Sequence, residues 1–404
     1  MQSKESRSVL LKVPFGDRSF PVSGAAADKS VVGAIARAGG VWEPEIMDVM
    51  HRFIRSDDVC LDIGANVGVH TLAMAALSPE GHVHAFEPSS ANFAYLSENI
   101  RRNRITNATA YQLGLSETPG ERAFHHFHEY AGCSLSGGGG EGADIDSVMT
   151  NAWGVAWDHT TETVAFTTLD LWAEAKEIDR LDFVKLDVEG FERYVIQGGV
   201  QTFRRFRPKL ITEFNRKSLK AYYGIEPASY FDMLRTIYDH VYIVPSEGDL
   251  EKVAVYAELE ERLSEARFWV DLLCVFDEIH AKELQMPCRA RTIVIPAAEL
   301  RSQAPSSPHY YASFGPYLPL PAGRHTARFT ISGTKSLEGT RIDACCSQGS
   351  VVAFRDLAEG DLENGIASLE FDLPLPASDV EIRLLVTPIF AGKVEQLVIV
   401  SHLD

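Results

Sequence analysis

The stretch Val59-Cys-Leu-Asp-Ile-Gly-Ala-Asn-Val-Gly68 decides the fold of this chain. It is apolar up to Asp62, then turns through two glycines into the helical pattern of residues 70–77. A second apolar run follows and ends in another acid, Glu87. This order of strand, glycine turn, helix, strand and acid is typical of α/β proteins that hold a nucleoside-bearing cofactor. The glycines let the backbone approach the ligand, and the second acid can accept hydrogen bonds from a ribose diol.

The spacing within the turn selects the class of cofactor. A dinucleotide site needs three glycines in a G-x-G-x-x-G pattern, which places a helix N-terminus against a pyrophosphate. Here Asp62 precedes Gly64 and Gly68, so the third glycine is missing and an acid stands where a phosphate would lie. That acid suits a cationic, phosphate-free ligand, and the turn together with Glu87 predicts S-adenosylmethionine as the cofactor. An ordinary strand–helix turn with a surface aspartate is the alternative.

Composition and charge limit the class of protein. The 404 residues leave room for two domains or more, and 45% hydrophobic with 23% charged residues is typical of globular proteins. The net charge of −18 argues against a nucleic-acid partner, because phosphate binding needs a basic surface. No segment is apolar for long enough to cross a bilayer, and the six cysteines form no C-x-x-C pair, which favours a reduced, cytoplasmic protein. The sequence leaves the oligomeric state open, a homo-oligomer included.

Four regions differ in pattern along the chain. Residues 1–40 read as an N-terminal leader with two short strands, and residues 41–288 alternate strand and helix patterns. Such alternation predicts an α/β fold, a doubly wound and mostly parallel sheet with helices on both faces. Residues 289–322 are rich in proline and tyrosine and read as a linker. Residues 323–404 show short strand-like runs between turn residues, which predicts an all-β sandwich or jelly-roll-like domain.

A second group of acids follows two later strands of the predicted sheet. One strand delivers Asp187 and places Glu189 at the start of the next helix, and the next strand delivers Glu213 and Asn215. Because ligands bind at the carboxyl edge of such a sheet, we expect these side chains to lie beside the cofactor. A carboxylate there could act as general base for a hydroxyl nucleophile. The alternatives are a Mg²⁺ or Mn²⁺ site and helix capping. The residues favour a base or a cofactor contact over both, so no metal is predicted.

Other polar features lie near the expected site. His70 follows the glycine turn by one helical turn and is a candidate contact for the reacting groups. Residues 132–160 carry a glycine run and two tryptophans, which is typical either of a mobile lid or of a disordered insertion. His125, His126 and His128 are interpreted as a solvated strand face instead of a zinc site, because no cysteine lies at ligand spacing.

Over residues 40–275 the chain resembles the FkbM family of S-adenosylmethionine-dependent methyltransferases. The resemblance rests on motifs in the same order: Trp42-Glu-Pro-Glu45, Leu61-Asp-Ile-Gly-Ala-Asn-Val-Gly68, Phe86-Glu-Pro88, Gly132-Cys-Ser-Leu135, Thr168-Leu-Asp170, Lys185-Leu-Asp-Val-Glu-Gly-Phe-Glu192 and Glu213-Phe-Asn215. It implies a Rossmann-like class I methyltransferase fold. It also assigns cofactor binding to six positions: Asp62, Gly64, Asn66, Gly68, Glu87 and Pro88.

The acceptor side of the resemblance is less complete. Where the family usually has Ser-Ser-Leu, this chain has Cys133, which puts the role of the first serine in doubt but leaves Ser134 as a candidate substrate or lid residue, together with Asn215. The sequence therefore predicts an O-methyltransferase that acts on a hydroxyl of a sugar, glycan or related metabolite, with a base among Asp187, Glu189 and Glu213. A glycan-binding protein whose methyltransferase-like domain is not catalytic is the alternative.

Overall fold

The chain forms two compact units in this computed structural model: Met1–Ile35 with Gly40–Met286, and Ala36–Gly39 with Pro287–Asp404. No helix among the residues that the structure describes combines the length and the apolar character needed to cross a membrane. The structure describes residues 5–15, 18–133, 135–136, 144–154, 156–246, 248–263, 268–280, 284, 291–297, 300, 302, 310–313, 318–320, 323–333, 336–346, 350–358, 360–362, 365–373, 377–387, 390 and 392–402.

The first unit mixes strands and helices. Its strands are β1 (Ser6–Lys12), β2 (Ser19–Ala25), β3 (Val59–Ile63), β4 (His82–Phe86), β5 (Ala108–Tyr111), β6 (Gly114–Leu115), β7 (Gly120–Phe127), β8 (Leu135–Ser136), β9 (His159–Thr167), β10 (Phe183–Leu186), β11 (Lys209–Asn215), β12 (His240–Val244), β13 (Glu251–Val253) and β14 (Trp269–Val275). Its helices are α1 (Val32–Arg37), α2 (Pro44–Phe53), α3 (Val69–Leu77), α4 (Ser90–Arg102), α5 (Ile145–Trp153), α6 (Leu169–Ala175), α7 (Glu192–Gln197), α8 (Val200–Phe206), α9 (Arg216–Tyr223), α10 (Pro227–Ile237) and α11 (Tyr256–Glu260).

An eight-stranded sheet forms the centre of this unit, in the order β13-β12-β14-β11-β10-β3-β4-β5. The strands from β11 to β5 in that order run parallel, which confirms the predicted doubly wound α/β sheet. Strand β14 pairs antiparallel with both β11 and β12, so it lies inside the sheet and not at its edge. Strand β9 belongs to a separate four-stranded sheet, β6-β9-β7-β8.

Both faces of the main sheet are buried. Leu61 and Val184 belong to one apolar cluster with residues of α6 to α10, whereas Cys60 and Phe183, their neighbours along the strands, belong to another with residues of α2 and α3. Strands that are covered on both faces are apolar at nearly every position. This is why Asp62 and Lys185, the polar residues of β3 and β10, stand out in the sequence.

The N-terminal region is part of this unit. Strands β1 and β2 form an antiparallel hairpin, as the sequence predicts, and its turn at residues 16–17 lies outside the described part. Leu11 and Val22 of the hairpin pack in one apolar cluster with Val69 and Leu72 of α3. The hairpin therefore packs against α3, the helix that follows the glycine turn, and is not a detached leader.

The described residues of the second unit from 291 onward form an all-β region, as predicted. Its strands are β15 (Arg291–Pro296), β16 (Tyr310–Ser313), β17 (Leu318–Leu320), β18 (Gly323–Ser332), β19 (Thr340–Cys346), β20 (Ser350–Leu357), β21 (Ile366–Leu373), β22 (Ala377–Val386) and β23 (Lys393–His402). They form sheets in the orders β15-β23-β18-β21 and β16-β22-β19-β20, with β17 on β22. Three of these strands lie within residues 289–322 and pair with β22 and β23, so the interpretation as a linker is corrected for the described part of that segment.

Candidate active site

A cavity of about 260 Å³ opens at the carboxyl ends of β3, β4 and β10. In the sheet order, β4 lies on one side of β3 and β10 on the other, so the chain connections diverge at this point. Ligands of doubly wound proteins bind at such a switch point. The cavity walls come from the turn after β3, the residues after β4, the loop at 131–136 and the acids that follow β10 and lie in β11.

The two glycines of the turn have different roles. Gly64 has a φ of 85°, and a Cβ at this position would lie 1.8 Å from the carbonyl oxygen of Asp187. Only glycine fits there, and Gly64 lines the cavity. Gly68 has a φ of 91°, and a Cβ would lie 2.7 Å from Cδ1 of Leu96 in α4. It permits helix packing and does not line the cavity.

Glu87 is a buried carboxylate with fixed geometry. Its Oε2 accepts a hydrogen bond from the Asn66 backbone N–H at 2.9 Å, and its Oε1 accepts one from the Ser89 N–H at 2.8 Å. Burial raises the pKa of Glu87 to about 7, although both N–H groups act to lower it. Asn66 is in turn held by its Nδ2, which donates to the Ala131 carbonyl at 3.0 Å. Asn66, Glu87 and Pro88 all line the cavity, and the Glu87 carboxylate, which also has a side-chain hydrogen bond with Asn92, keeps lone-pair capacity for a ligand.

Asp62 lies beneath the cavity and not in its wall. It is fully buried, which rules out the alternative of a surface aspartate. Its Oδ2 accepts a hydrogen bond from Thr71 Oγ1 at 2.5 Å, and its neighbour in the adjacent strand is Lys185. Among the described residues, its Oδ1 has no hydrogen-bond partner. Asp62 therefore supports the turn from below.

The structure brings together Asp187, Glu189 and Glu213, which we call the acid cluster. Lys185 Nζ donates to Asp187 Oδ2 at 2.8 Å, the partner that the sequence could not identify. Burial lowers the pKa of Lys185, but Asp187 and other carboxylates raise it more, so it stays above its ordinary value. Burial and then the Asp187 charge raise the pKa of both Glu189 and Glu213 well above the ordinary value.

The start of the next helix differs from the prediction. Glu189 does not begin it: this residue has a φ of 57° within a turn, and α7 begins at Glu192. Glu192 Oε1 accepts the N–H groups of Val188 at 2.9 Å and Gly190 at 3.1 Å. Glu192 therefore holds the turn that precedes α7, the N-cap residue of α7 makes no side-chain cap, and Asp187 and Glu189 line the cavity.

The three remaining candidates have separate outcomes. His70 lines the cavity, and its Nε2 lies 3.1 Å from Glu43 Oε2, which also lines it. Asn215 Oδ1 accepts the Ser218 N–H at 3.0 Å as the N-cap of α9, and Asn215 does not line the cavity. Ser134 and residues 137–143 of the expected lid lie outside the described residues.

The histidines of β7 are not a solvated face. His126 is 5% exposed, and its Nδ1 lies 3.2 Å from the Oγ of Ser89, two residues after Glu87. His125 is half-buried, with its Nδ1 2.9 Å from Thr161 Oγ1. The sequence interpretation is corrected for His126, because its side chain lies against the segment that follows β4.

Sequence reasoning missed the support of the loop at 131–136. Asp28 is buried, and its Oδ1 accepts hydrogen bonds from Ser30 Oγ at 2.7 Å and from the Ala131 N–H at 3.3 Å. Ser30 Oγ accepts the Gly132 N–H at 2.8 Å, and Ser30 itself lines the cavity. The Asp-x-Ser pattern just before α1 is a turn and capping signal that could have indicated Asp28, though not its distant partners.

The arrangement suits group transfer from a nucleoside cofactor. The tight glycine turn, the anchored carboxylate and the acid cluster line the same cavity, and Gly64 lies directly against the Asp187 backbone. The turn and the anchored carboxylate can hold a ribose, and the acid cluster can accept a proton or hold a cation. Asp187 and Glu213, with Glu192, are also the described acids whose oxygens lie close enough together to share a metal ion.

Known proteins are similar in sequence to this part of the chain. The sequence profile of the methyltransferase FkbM domain matches residues 62–244. Methyltransferase 1 of Beauveria bassiana is 27% identical over 35% of this chain and 58% of its own length. The 2-O-methyltransferase NoeI of Sinorhizobium fredii is 26% identical over 45% of this chain and 75% of its own length. The hexuronic acid methyltransferase AglP of Haloferax volcanii is 28% identical over 39% of this chain and 56% of its own length.

The matched segment coincides with the elements that form the cavity. It begins at Asp62, includes Glu87 and the acid cluster, and ends with β12. The chain spans 58% of the length of the first relative, so the match concerns the domain and not that whole protein. Residues 62–244 of this chain belong to the methyltransferase FkbM domain family.

Proposed function

We propose that this protein is an S-adenosylmethionine-dependent O-methyltransferase whose acceptor is a hydroxyl group of a sugar, glycan or related metabolite. One observation carries the proposal: the glycine turn, the buried Glu87 and the acid cluster line a single cavity at the switch point of the sheet. A cofactor and an acceptor bound there would lie side by side.

The residues of the turn fit the nucleoside part of the cofactor. Gly64 lets the backbone form the wall, since any Cβ there would meet the Asp187 carbonyl. Glu87 is held by two N–H groups with lone pairs to spare, so it can accept hydrogen bonds from ribose hydroxyls without rearranging. The cofactor supplies a methyl group on a positively charged sulfur, and the carboxylates of this cavity suit that charge.

The acid cluster fits the acceptor end. A hydroxyl is a weak nucleophile until its proton is being removed, and a carboxylate whose pKa is raised toward neutrality is a competent base. Glu189 and Glu213 have raised pKa values and face the cavity, whereas Asp187 is bound by Lys185. We therefore infer that Glu189 or Glu213 accepts the proton, while the cavity aligns the two reactants.

The relatives support the choice of acceptor. One matched relative is named as a 2-O-methyltransferase and another as a hexuronic acid methyltransferase. Both names describe transfer to oxygen or to a sugar. The described cysteines are free thiols, which supports a reducing, cytoplasmic location.

Calorimetry with S-adenosylmethionine and S-adenosylhomocysteine tests the cofactor. We expect binding by the full chain, and a strong loss in Glu87→Ala, which removes the anchored carboxylate, and in Asp62→Ala, which removes the support of the turn. Incubation with labelled donor and a panel of sugars, nucleotide sugars and glycans, read by mass spectrometry, then tests transfer. Absence of binding of either nucleoside by folded protein would overturn the proposal.

A further inference from the structure

Three carboxylates from separate elements come together beside the cavity, and two of them, Asp187 and Glu213, line it. Asp187 follows β10, Glu192 begins α7 and Glu213 lies in β11. Each offers an oxygen, and the three oxygens lie within 4.8 Å of one another. A six-coordinate Mg²⁺ with metal–oxygen distances of about 2.0–2.1 Å places opposite ligand oxygens about 4.0–4.2 Å apart. The three carboxylates are therefore close enough to share one cation after a small adjustment of their side chains.

A second observation is independent of this spacing. Glu192 is 0% exposed, and its Oε1 accepts two backbone N–H groups, yet its Oε2 has no hydrogen-bond partner among the described residues. Glu213 Oε2 is buried without a partner in the same part of the structure. A buried carboxylate oxygen without a donor is destabilising, so two such oxygens on residues that lie close together point to a bound cation.

The protein supplies too little positive charge for these acids. Lys185 Nζ donates to Asp187 Oδ2 at 2.8 Å. Among the described residues that line the cavity, Lys185 is the one that carries a lysine or arginine charge. It balances one carboxylate, while Glu189, Glu192 and Glu213 remain nearby. Each carboxylate oxygen has two lone pairs, so Asp187 can bind Lys185 and still offer a ligand.

We propose that Asp187, Glu192 and Glu213 bind one hard divalent cation of the Mg²⁺ class. An all-oxygen carboxylate set suits Mg²⁺ or Mn²⁺ and not Zn²⁺, which prefers nitrogen and sulfur. Three protein ligands leave coordination positions for water and for the oxygen of an acceptor hydroxyl. The binding site stands on the geometry alone, whereas a role in holding the acceptor rests on the proposed methyltransferase function.

Titration of the metal-free full chain with Mn²⁺, followed by electron paramagnetic resonance, tests the site without donor or acceptor. We expect one site per chain that saturates below about 1 mM Mn²⁺ and is displaced by excess Mg²⁺. Glu213→Gln and Glu192→Gln should each weaken binding at least tenfold. Glu98→Gln, an exposed acid on α4, is the matched control and should leave binding unchanged.

Two results would overturn the proposal: no saturable Mn²⁺ binding by the wild-type chain, or binding that both ligand variants retain. Glu192 supports a turn, so Glu192→Gln could unfold the protein. Glu213 is half-buried and its Oε2 has no partner to lose, so that variant keeps the test decisive. Calorimetry of S-adenosylhomocysteine in EDTA separates the two proposals: nucleoside binding without Mn²⁺ binding sinks the cation site alone.

Discussion

Glu87 and Glu213 are carboxylates of one cavity that the protein holds in opposite ways. Glu87 accepts two backbone N–H groups from residues that flank it or lie in the glycine turn. Glu213 has an oxygen with no partner among the described residues and lies beside the Asp187 and Glu189 charges. Preformed hydrogen bonds make the turn end rigid and ready for a ligand. The acid cluster instead keeps unbalanced charge, a cost to stability that is common where groups must react.

The largest effect is expected from Gly64→Ala, which changes the turn itself. The new Cβ would lie 1.8 Å from the carbonyl oxygen of Asp187, and the alanine would have to keep the backbone φ of 85°. We expect the free energy of unfolding to fall by about 4 kcal/mol or more, measured by urea denaturation. Gly154→Ala is the matched control: its φ is 77°, but nothing lies within 4 Å of the new Cβ. That variant should lose only about 1 kcal/mol. Equal losses in the two variants would show that the close approach at Gly64 is unimportant.

Glu87→Gln alters the anchored carboxylate with little change in shape. One amide NH₂ would face a backbone N–H that the carboxylate now accepts, so a hydrogen bond becomes a repulsive contact. We expect S-adenosylhomocysteine to bind about 100-fold more weakly, equivalent to about 3 kcal/mol, measured by calorimetry. The exposed Glu98→Gln should bind normally. Undiminished affinity in Glu87→Gln would remove Glu87 from the ribose site.

The pKa of Glu87 makes cofactor binding depend on pH. Burial raises it to about 7, so the carboxylate form, which accepts the ribose hydrogen bonds, becomes dominant only above that pH. Affinity for S-adenosylhomocysteine should rise about tenfold from pH 6 to pH 8, and Glu87→Gln should flatten this part of the profile. The stability of the fold depends on pH in the opposite direction to the affinity for the cofactor. Because the folded pKa exceeds the ordinary 4.5, the contribution of Glu87 to stability is present below about pH 4.5 and lost as the pH rises through about 7. An affinity that falls over this range would contradict the role of the carboxylate.

The turn end was easier to predict from the sequence than the acid cluster, for a physical reason. Gly64 and Glu87 are fixed by local geometry, a tight turn and a strand end, which leave a pattern in consecutive residues. The other side chains of the site are held by partners that are distant in the chain. Lys185 lies beside Asp62 in the adjacent strand, and Asp28 accepts the Ala131 N–H. Such pairs form only when the sheet is assembled.

The same distinction explains the errors in the fold. The helices and parallel strands follow from the hydrophobic period, and the alternation predicted over residues 41–288 is present in the structure. Strand β9 and the strands of residues 289–322 have ordinary strand or loop patterns, and only their pairing partners decide which sheet they join. Periodicity carries no information about partners.

Glu213→Gln sharpens the comparison between Glu87 and Glu213, because we expect it to raise the free energy of unfolding, whereas Glu87→Gln should not. It removes a charge that burial and the neighbouring carboxylates of Asp187 and Glu189 disfavour. At pH 8 in EDTA, we expect the free energy of unfolding to rise by about 1–2 kcal/mol, measured by urea denaturation, while methyl transfer is lost. Glu87→Gln should not be stabilised under the same conditions, since it loses a hydrogen bond. A destabilised Glu213→Gln would mean that its carboxylate has a balancing partner.

Asn215→Ala should have the smallest effect, and it marks the boundary of the site. The Asn215 Oδ1 accepts the Ser218 N–H and caps α9, and Asn215 does not line the cavity although its strand also carries Glu213. Loss of the cap should lower the free energy of unfolding by about 1 kcal/mol, whereas Asn215→Ser, which retains a capping oxygen, should lose less. Affinity for S-adenosylhomocysteine should be unchanged in both variants. If Asn215→Ser restores stability but not turnover, the Asn215 amide contacts the acceptor directly, and the acceptor end extends past the cavity wall to the start of α9.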